Sequence, residues 1–525
     1  MLPLEKTTVG ALLRRTVARY PNRPAVIDRD VCLTYRELDD LTDRYATELL
    51  HRGIGHGDHV ALFGEPEAEV LSLFFAIQRI GAVAVMVNTA LVRTDLETVL
   101  NLGDPKMICI GSSYQPDRNL ADDVQALAPA PTVEGIFTMG SASSAFYPVL
   151  PGQSEIDREA VAAAEKEVHS EDTAVIIFTS GSTGVPKPVM TSHYSRVNGG
   201  IQQSYDFAAT CEDVFCMAVP MFHCFSISTN IMASLAVGGC LCIPDNRRTG
   251  SILRAIQNHR CTVLHAVPSM YRAIMARKDF HDCDISSLRV GIIGGASYPP
   301  GDFKRIEENF GMTLVSSLGQ TESTAGLTVC NLDDDMEKRS TTVGHFMNYV
   351  EGKIADLETG KSLPTGQIGE ICIKGYLVMQ GVYRQPEQTA RAIDKDGWLH
   401  TGDLGELDED GYITLHGRIK ELINRGGEKI SPVEVENQIC ALPGVETCRV
   451  VPVPDKHYGE EACACVVTAE NTVVEEERIR EHLHEQVAAY KVPKYILFFD
   501  ALPLNGTGKV DTAATATRAR RELGL

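Results

Sequence analysis

The stretch Ala174-Val175-Ile176-Ile177-Phe178-Thr179-Ser180-Gly181-Ser182-Thr183-Gly184-Val185-Pro186-Lys187 carries the reading of the fold. Ala174 to Phe178 is a short apolar run that stops at polar and glycine residues, the pattern of a buried strand. Two glycines then free the backbone to turn its N–H groups toward an anion. Hydroxyls at Thr179, Ser180, Ser182 and Thr183 add donors, and Lys187 adds a point charge. Such a loop suits a polyphosphate. Its spacing, G-x-x-G-x-x-K, is not that of a Walker loop, which needs G-x-x-x-x-G-K-[ST]. A P-loop hydrolase is rejected on that ground.

Outward from this loop, strand and helix patterns alternate. Thr34-x-x-Glu37 reads as a capping box, and Leu38, Leu41, Tyr45 and Leu49 follow at helical steps. His59 to Phe63 reads as a strand, Val70 to Ile80 as a helix and Ala82 to Val87 as a strand. Leu288 to Ile293 is a further strand ending at Gly294-Gly295, and Phe303, Ile306 and Phe310 face one way on a helix that stops at Gly311. This alternation predicts an α/β fold of mainly parallel sheets covered by helices. The last hundred residues read as a separate small α+β unit. There Ser431-Pro432-Val433-Glu434 is a second capping box, Val435, Ile439 and Leu442 continue its helix, and Pro443-Gly444 closes it. Arg449 to Val453 and Ala462 to Val467 read as strands. The polar, glycine-bearing stretch Gly417 to Gly427 reads as the linker. The expected division is a large domain over 1–416, a hinge at 417–420 and a small mobile lid over 421–525.

Composition narrows the function. The 525 residues exceed one ordinary core, at roughly 150 residues per domain. Lys+Arg 49 against Asp+Glu 70 leaves a net charge of −21, which repels a nucleic-acid backbone. The one basic cluster, Arg518-Ala519-Arg520-Arg521, reads as a solvated helix end. The most apolar stretch, Val70 to Val92, is broken by Gln78, Arg79 and Asn88, so it reads as buried core and not as a membrane span. No secretory signal is visible at the N-terminus. Fifteen cysteines, an odd number without C-x-x-C spacing, read as reduced thiols and point to the cytoplasm.

Further segments follow in order: Pro220-Met221-Phe222-His223, Gly294-Gly295-Ala296, Gly319-Gln320-Thr321-Glu322 and Gly397-Trp398-Leu399-His400-Thr401-Gly402-Asp403. After these come Gly417-Arg418-Ile419-Lys420-Glu421, Gly426-Gly427-Glu428 and Asn505-Gly506-Thr507-Gly508-Lys509. Together with the Thr179–Lys187 loop, they resemble the adenylate-forming superfamily of acyl-CoA synthetases, adenylation domains and luciferases. The likeness covers nearly the whole chain and is closest to the medium-chain acyl-CoA synthetases.

The resemblance implies an AMP-forming ligase that uses ATP, Mg2+ and coenzyme A to activate a small-molecule carboxylic acid. It assigns Lys509 to the joining of carboxylate and α-phosphate, Thr321 to the α-phosphate, Glu322 to Mg2+ and Asp403 to the ribose. Arg418 would lie near ribose and phosphate. Ser180, Gly181, Ser182, Thr183 and Gly184, with Thr179 and Lys187, would hold the pyrophosphate end. Gly295, Ala296, Leu318, Gly319 and Gln320 would surround the base. His223 would gate the passage between acyl pocket and thiol tunnel. Lys420 would be the hinge, and Gly426 and Gly427 would line the tunnel. Two positions depart from the pattern: Leu318 replaces an aromatic that stacks on adenine, and Pro188 replaces a glycine.

The acyl pocket is expected between Phe222–Asn230 and Gly319–Gly326, with Phe225, Leu327, Ser226, Ser228, Ala325 and Gly326 making it apolar and roomy. No Asp or Arg stands out there to pair with an amino acid or a second carboxylate. The nature of the acid and the oligomeric state, monomer or homodimer, stay open. So do a carrier-protein pantetheine as acceptor and a non-catalytic nucleotide-binding regulator.

Overall fold

The computed structural model describes residues 2–115, 117–127, 131–152, 155–179, 185–296, 298–469, 472–504 and 509–525. Two seven-stranded sheets form the bulk of the chain. In the first, strands Thr313–Ser317, Val290–Gly294, Val263–Leu264, Val214–Cys216, Cys240–Ile243 and Pro24–Asp28 run parallel. Val31–Thr34 closes its edge antiparallel. In the second, Thr173–Thr179, Val83–Met86, His59–Phe63, Met107–Ile110 and Gly135–Thr138 are parallel. Lys187–Ser192 and Gly381–Val382 extend it antiparallel. Helices cover both sheets, because strands buried on both faces leave no solvent side.

The helix Ala68–Arg79 shows why the apolar stretch stays in the core. Every side chain from Val70 to Arg79 is buried. Two of its polar residues are anchored there: Gln78 Nε2 donates to Ala174 O at 2.8 Å, and the fully buried Arg79 reaches Asp39 and Asp43 at 2.6 Å each. A buried guanidinium held by two carboxylates belongs to a protein interior. Among the described residues no helix is long and apolar enough to cross a membrane.

Local signals translate well where they are capped. Thr34 and Glu37 form both halves of the capping box, and Gly311 ends the helix Pro300–Phe310 in the left-handed region at φ +63°. The second box is only half formed. Ser431 accepts from Glu434 N at 3.4 Å, but the Glu434 carboxylate turns to Lys491 Nζ at 2.6 and 2.7 Å. A tertiary cation draws the side chain away from the N-cap. The helix Pro432–Cys440 also ends before Pro443-Gly444.

Two regions differ from a purely alternating plan. Val350–Ala355, Ile368–Gly375, Leu399–Leu407 and Ile413–Arg418 form a wholly antiparallel sheet. The stretch read as a linker is mostly structured: the end of Ile413–Arg418, a 3-10 turn at Ile419–Glu421 and the strand Ile423–Arg425, with Ile423 fully buried. That strand joins the C-terminal sheet with Glu428–Ile430, Val445–Asp455, Gly459–Thr468 and Tyr495–Phe498.

Arg449 ties this C-terminal unit together. It reaches Glu421 at 2.8 Å and Glu436 at 3.3 Å, and its Nε and Nη2 donate to Thr512 Oγ1 at 3.1 and 2.8 Å. Glu436 is almost wholly buried. Arg449→Met would strand that carboxylate, at a cost of about 3–5 kcal/mol. A clearly lowered unfolding midpoint of the C-terminal transition in urea is the expected result; an unchanged midpoint would contradict this account of the unit's stability.

Candidate active site

Functional side chains gather where strands of both large sheets end and the antiparallel sheet meets them, the usual place for ligands in open α/β sheets. A cavity of about 60 Å³ opens there, lined among others by His223, Cys224, Gly295, Gly319, Gly326 and Lys509. Lys509 comes from the far end of the chain. The Leu504–Val510 bridge holds its segment, and Asp511 caps the following helix, Thr512–Leu523.

Two glycines are required here, Gly295 by its backbone conformation and Gly319 by close approach. Gly295 has φ +79°, and a Cβ built there would lie 3.4 Å from Lys509 Nζ. Gly319 pairs with Gly326, and a Cβ on Gly319 would fall 1.9 Å from Ala325 O. Only glycine permits that backbone contact. It folds the segment 319–326, which carries Thr321 and Glu322, into a tight hairpin. Thr324, fully buried, sits at its tip with φ +63°, an unusual conformation for a β-branched residue. Its hydroxyl donates to Leu377 O at 2.7 Å.

Thr179 ends its strand opposite Lys187, which opens the antiparallel strand Lys187–Ser192. Ser180, Gly181, Ser182, Thr183 and Gly184 lie outside the described residues. Thr179 Oγ1 donates to Glu322 Oε1 at 3.5 Å, linking the loop's base to the 319–326 hairpin. Pro188 sits in the strand Lys187–Ser192, where its carbonyl accepts from Tyr383 N at 2.8 Å. Leu318 packs beside Val189 and Leu327 on the apolar cluster of the antiparallel sheet. Ala296 is exposed beyond Gly295 at the end of its strand.

Asp403 and Arg418 face each other on adjacent strands. Arg418 Nε donates to Asp403 Oδ1 at 2.6 Å. Burial pushes the Asp403 carboxyl up from its ordinary range, while Arg418 works against that rise. Burial also depresses Arg418, but Asp403, Glu421 and Glu322 outweigh it and hold the guanidinium charged. Burial, aided by Arg418, pushes the Lys509 ammonium below the usual lysine value; Cys224 and Asp403 oppose the shift. Glu322 itself, half-buried, forms no ion pair among the described residues.

His223 caps the short helix Cys224–Ser226, its Nδ1 accepting from Phe225 N at 3.2 Å. In the neutral ring the proton is therefore on Nε2. Cys224 is a residue that sequence reasoning missed. Its Sγ lies 3.7 Å from His223 Nδ1 and 3.5 Å from Thr321 Oγ1. Burial opposes ionisation of this thiol, yet His223, the Thr321 hydroxyl and Arg196 outweigh it and bring it down to about 7. Arg196 was missed too. It is buried behind the cavity wall, donating to Thr191 Oγ1 at 2.9 Å and Thr324 O at 2.8 Å, with no carboxylate partner among the described residues.

Of the expected acyl-pocket residues, Phe225, Ala325 and Gly326 line the cavity. Ser226, Ser228 and Leu327 do not; they are fully buried in the surrounding packing. Gly426 and Gly427 are not brought to the cavity. They form the exposed tip of the hairpin between Ile423–Arg425 and Glu428–Ile430, with φ +61° and +105°, and that turn accounts for both glycines. Lys420 is exposed on the turn Ile419–Glu421.

Such a frame, a large α/β body with a small C-terminal unit inserting a lysine into its cavity, belongs to nucleotide-activating enzymes. The chain is a member of the AMP-binding enzyme family: residues 13–383 match the AMP-binding enzyme model, and 434–509 match the AMP-binding enzyme C-terminal domain. It is 35% identical to the putative acyl-CoA synthetase YngI of Bacillus subtilis, over 97% of this chain and 96% of that protein. It is 31% identical to the mitochondrial medium-chain acyl-CoA ligase ACSF2 of Danio rerio, over 100% of this chain and 90% of that protein. Among solved structures, ATP-bound MatB from Rhodopseudomonas palustris superposes with a TM-score of 0.82 at 27% identity, covering 99% of this chain and 100% of that one.

Proposed function

We propose that this chain is an ATP-dependent acyl-CoA ligase working through an acyl-adenylate. The observation that carries the reading is the convergence of Lys509 with His223, Gly295 and Gly319 on one cavity. In the first half-reaction a carboxylate oxygen attacks the α-phosphorus of ATP, an acyl–O–P bond forms, and pyrophosphate leaves. Two anions must meet, so fixed positive charge in a partly dry site is the main requirement. Lys509 supplies a compact ammonium with three donors, and Arg418 a second cation. Thr321 offers a hydroxyl beside them. Asp403 accepts the ribose hydroxyls on the oxygens that Arg418 holds in place. In the second half-reaction the CoA thiolate attacks the acyl carbon, a C–S bond forms, and AMP departs with the C–O bond's electrons. The C-terminal unit, 421–525, turns about Lys420 between these steps.

The donor set fits Mg2+, a hard cation that takes one or two carboxylates plus phosphate oxygens. Glu322 would hold it, offering a carboxylate that accepts from Thr179 at the base of the phosphate loop and has no ion pair among the described residues. When bound, the ion would neutralise charge on the phosphate oxygens. Glu322→Gln keeps the shape and removes the charge, so half-maximal activity should need about 10–100-fold more Mg2+. An unchanged Mg2+ titration would contradict the assignment.

All fifteen cysteines are free, which supports a reducing compartment such as the cytoplasm. The reading as a whole is tested by mixing the protein with ATP, Mg2+ and a panel of carboxylic acids, with free CoA or a carrier protein as acceptor. Acid-dependent pyrophosphate release and CoA-dependent thioester are expected. Nucleotide binding without pyrophosphate release would instead leave a regulator on the same fold.

A further inference from the structure

Resting on the ligase reading above, one residue of the cavity wall bears on which acids it accepts. Gln203 lies on the helix His193–Asp206, is 5% exposed and lines the cavity. Its amide oxygen has no hydrogen-bond partner among the described residues. The neighbouring polar side chains are already engaged. Ser317 Oγ donates to Thr328 O at 2.8 Å, and Thr229 Oγ1 donates to Phe225 O at 2.8 Å.

The surrounding backbone is built to let this amide in. A Cβ on Gly326 would lie 2.9 Å from Gln203 Nε2, so the hairpin wall is kept bare where the amide faces it. A Cβ on Gly200 would lie 2.4 Å from Met232 Cβ, so the helix carrying Gln203 is pressed against the π-helical segment Ile227–Met232. Single π-turns of this kind often re-aim residues at functional sites.

A buried carboxamide oxygen without a partner must be met by something. When no substrate is bound, water can do so, since the cavity exceeds the minimum of roughly 10–15 Å³ that one water needs. An acyl chain displaces that water. A hydrocarbon chain would then leave the amide bare, whereas a hydroxyl donates to its oxygen or accepts from its nitrogen. We infer that Gln203 is a specificity-determining residue that selects a compact carboxylic acid bearing a hydroxyl group on its acyl chain.

The experiment measures kcat/KM for pyrophosphate release with short straight-chain acids and with each of their singly hydroxylated positional isomers. In the wild type, at least one hydroxylated acid should exceed its parent by about 10-fold or more. In Gln203→Leu, which keeps the volume and removes the amide, that preference should vanish and the parent acids should gain. A wild type that prefers every parent acid to its hydroxylated isomers would overturn the inference and leave the ligase reading intact. So would an equal preference in wild type and Gln203→Leu. The wild-type arm decides even if the variant folds poorly. No pyrophosphate with any acid would overturn the ligase reading and this inference together.

Discussion

Lys509→Ala is expected to lose pyrophosphate release from acid and ATP by about 10²–10³-fold, equivalent to some 3–4 kcal/mol of transition-state stabilisation. The reason is positional. Lys509 enters the cavity beside the positively turned Gly295, with Asp403 and Arg418 within electrostatic reach. Burial pushes its pKa down, and two approaching anions work against that shift by favouring the charged ammonium. The same variant, supplied with synthetic acyl-AMP and CoA, should still make thioester, because the proposed rotation about Lys420 carries Lys509 away before the thiol attacks. Nucleotide binding should persist through Asp403 and Arg418. Both half-reactions are followed side by side. Wild-type pyrophosphate release by Lys509→Ala would contradict the role given to this lysine.

Gly319→Ala should be nearly as damaging while adding one methyl group. The new Cβ would meet Ala325 O at 1.9 Å, Ala325 C at 2.5 Å and Gly326 Cα at 2.8 Å, all of them backbone atoms. Nothing at the end of a flexible side chain can give way. The 319–326 hairpin must open, and with it Thr321 and Glu322 shift by on the order of 1 Å, which costs ~10²-fold in rate when reacting groups are misplaced. Overpacking of this sort also costs about 1–3 kcal/mol of stability. Pyrophosphate-release kinetics and a thermal melt on the same preparation check both effects. Wild-type kcat/KM in a folded Gly319→Ala would show that the hairpin does not position the site.

The two predictions mark where sequence reading succeeds and where it stops. Gly319, Thr321, Glu322, Asp403, Arg418 and Lys509 stand out in the sequence because each sits in a short motif whose residue types suit phosphate and metal chemistry; the structure brings Gly319 and Lys509 to one cavity and pairs Asp403 with Arg418. The parallel sheets were legible too, since buried strands and capped helices leave local signals such as Thr34-x-x-Glu37. What lay hidden depends on approach in space. Cys224 is one of fifteen cysteines until His223 and Thr321 are seen beside its thiol. Arg196 and Gln203 are polar residues on an ordinary helix until the cavity is found against it. Glu434 looked like half of a capping box, and a lysine from another segment claims it. The antiparallel sheet from Val350 to Arg418 was missed because half-exposed strands joined by turns alternate weakly. Gly426 and Gly427 were read for the room they leave, whereas the hairpin turn they form already requires glycine.

The central claim is that the acid is activated as an acyl-adenylate, and isotope tracing tests it most directly. The enzyme is given ATP, Mg2+, CoA and a carboxylic acid whose two carboxyl oxygens carry a heavy isotope. If the carboxylate attacks the α-phosphorus, one labelled oxygen must remain on AMP when the thiol displaces it, and pyrophosphate must be unlabelled. Label in inorganic phosphate with ADP as product, or AMP without label, would contradict the account.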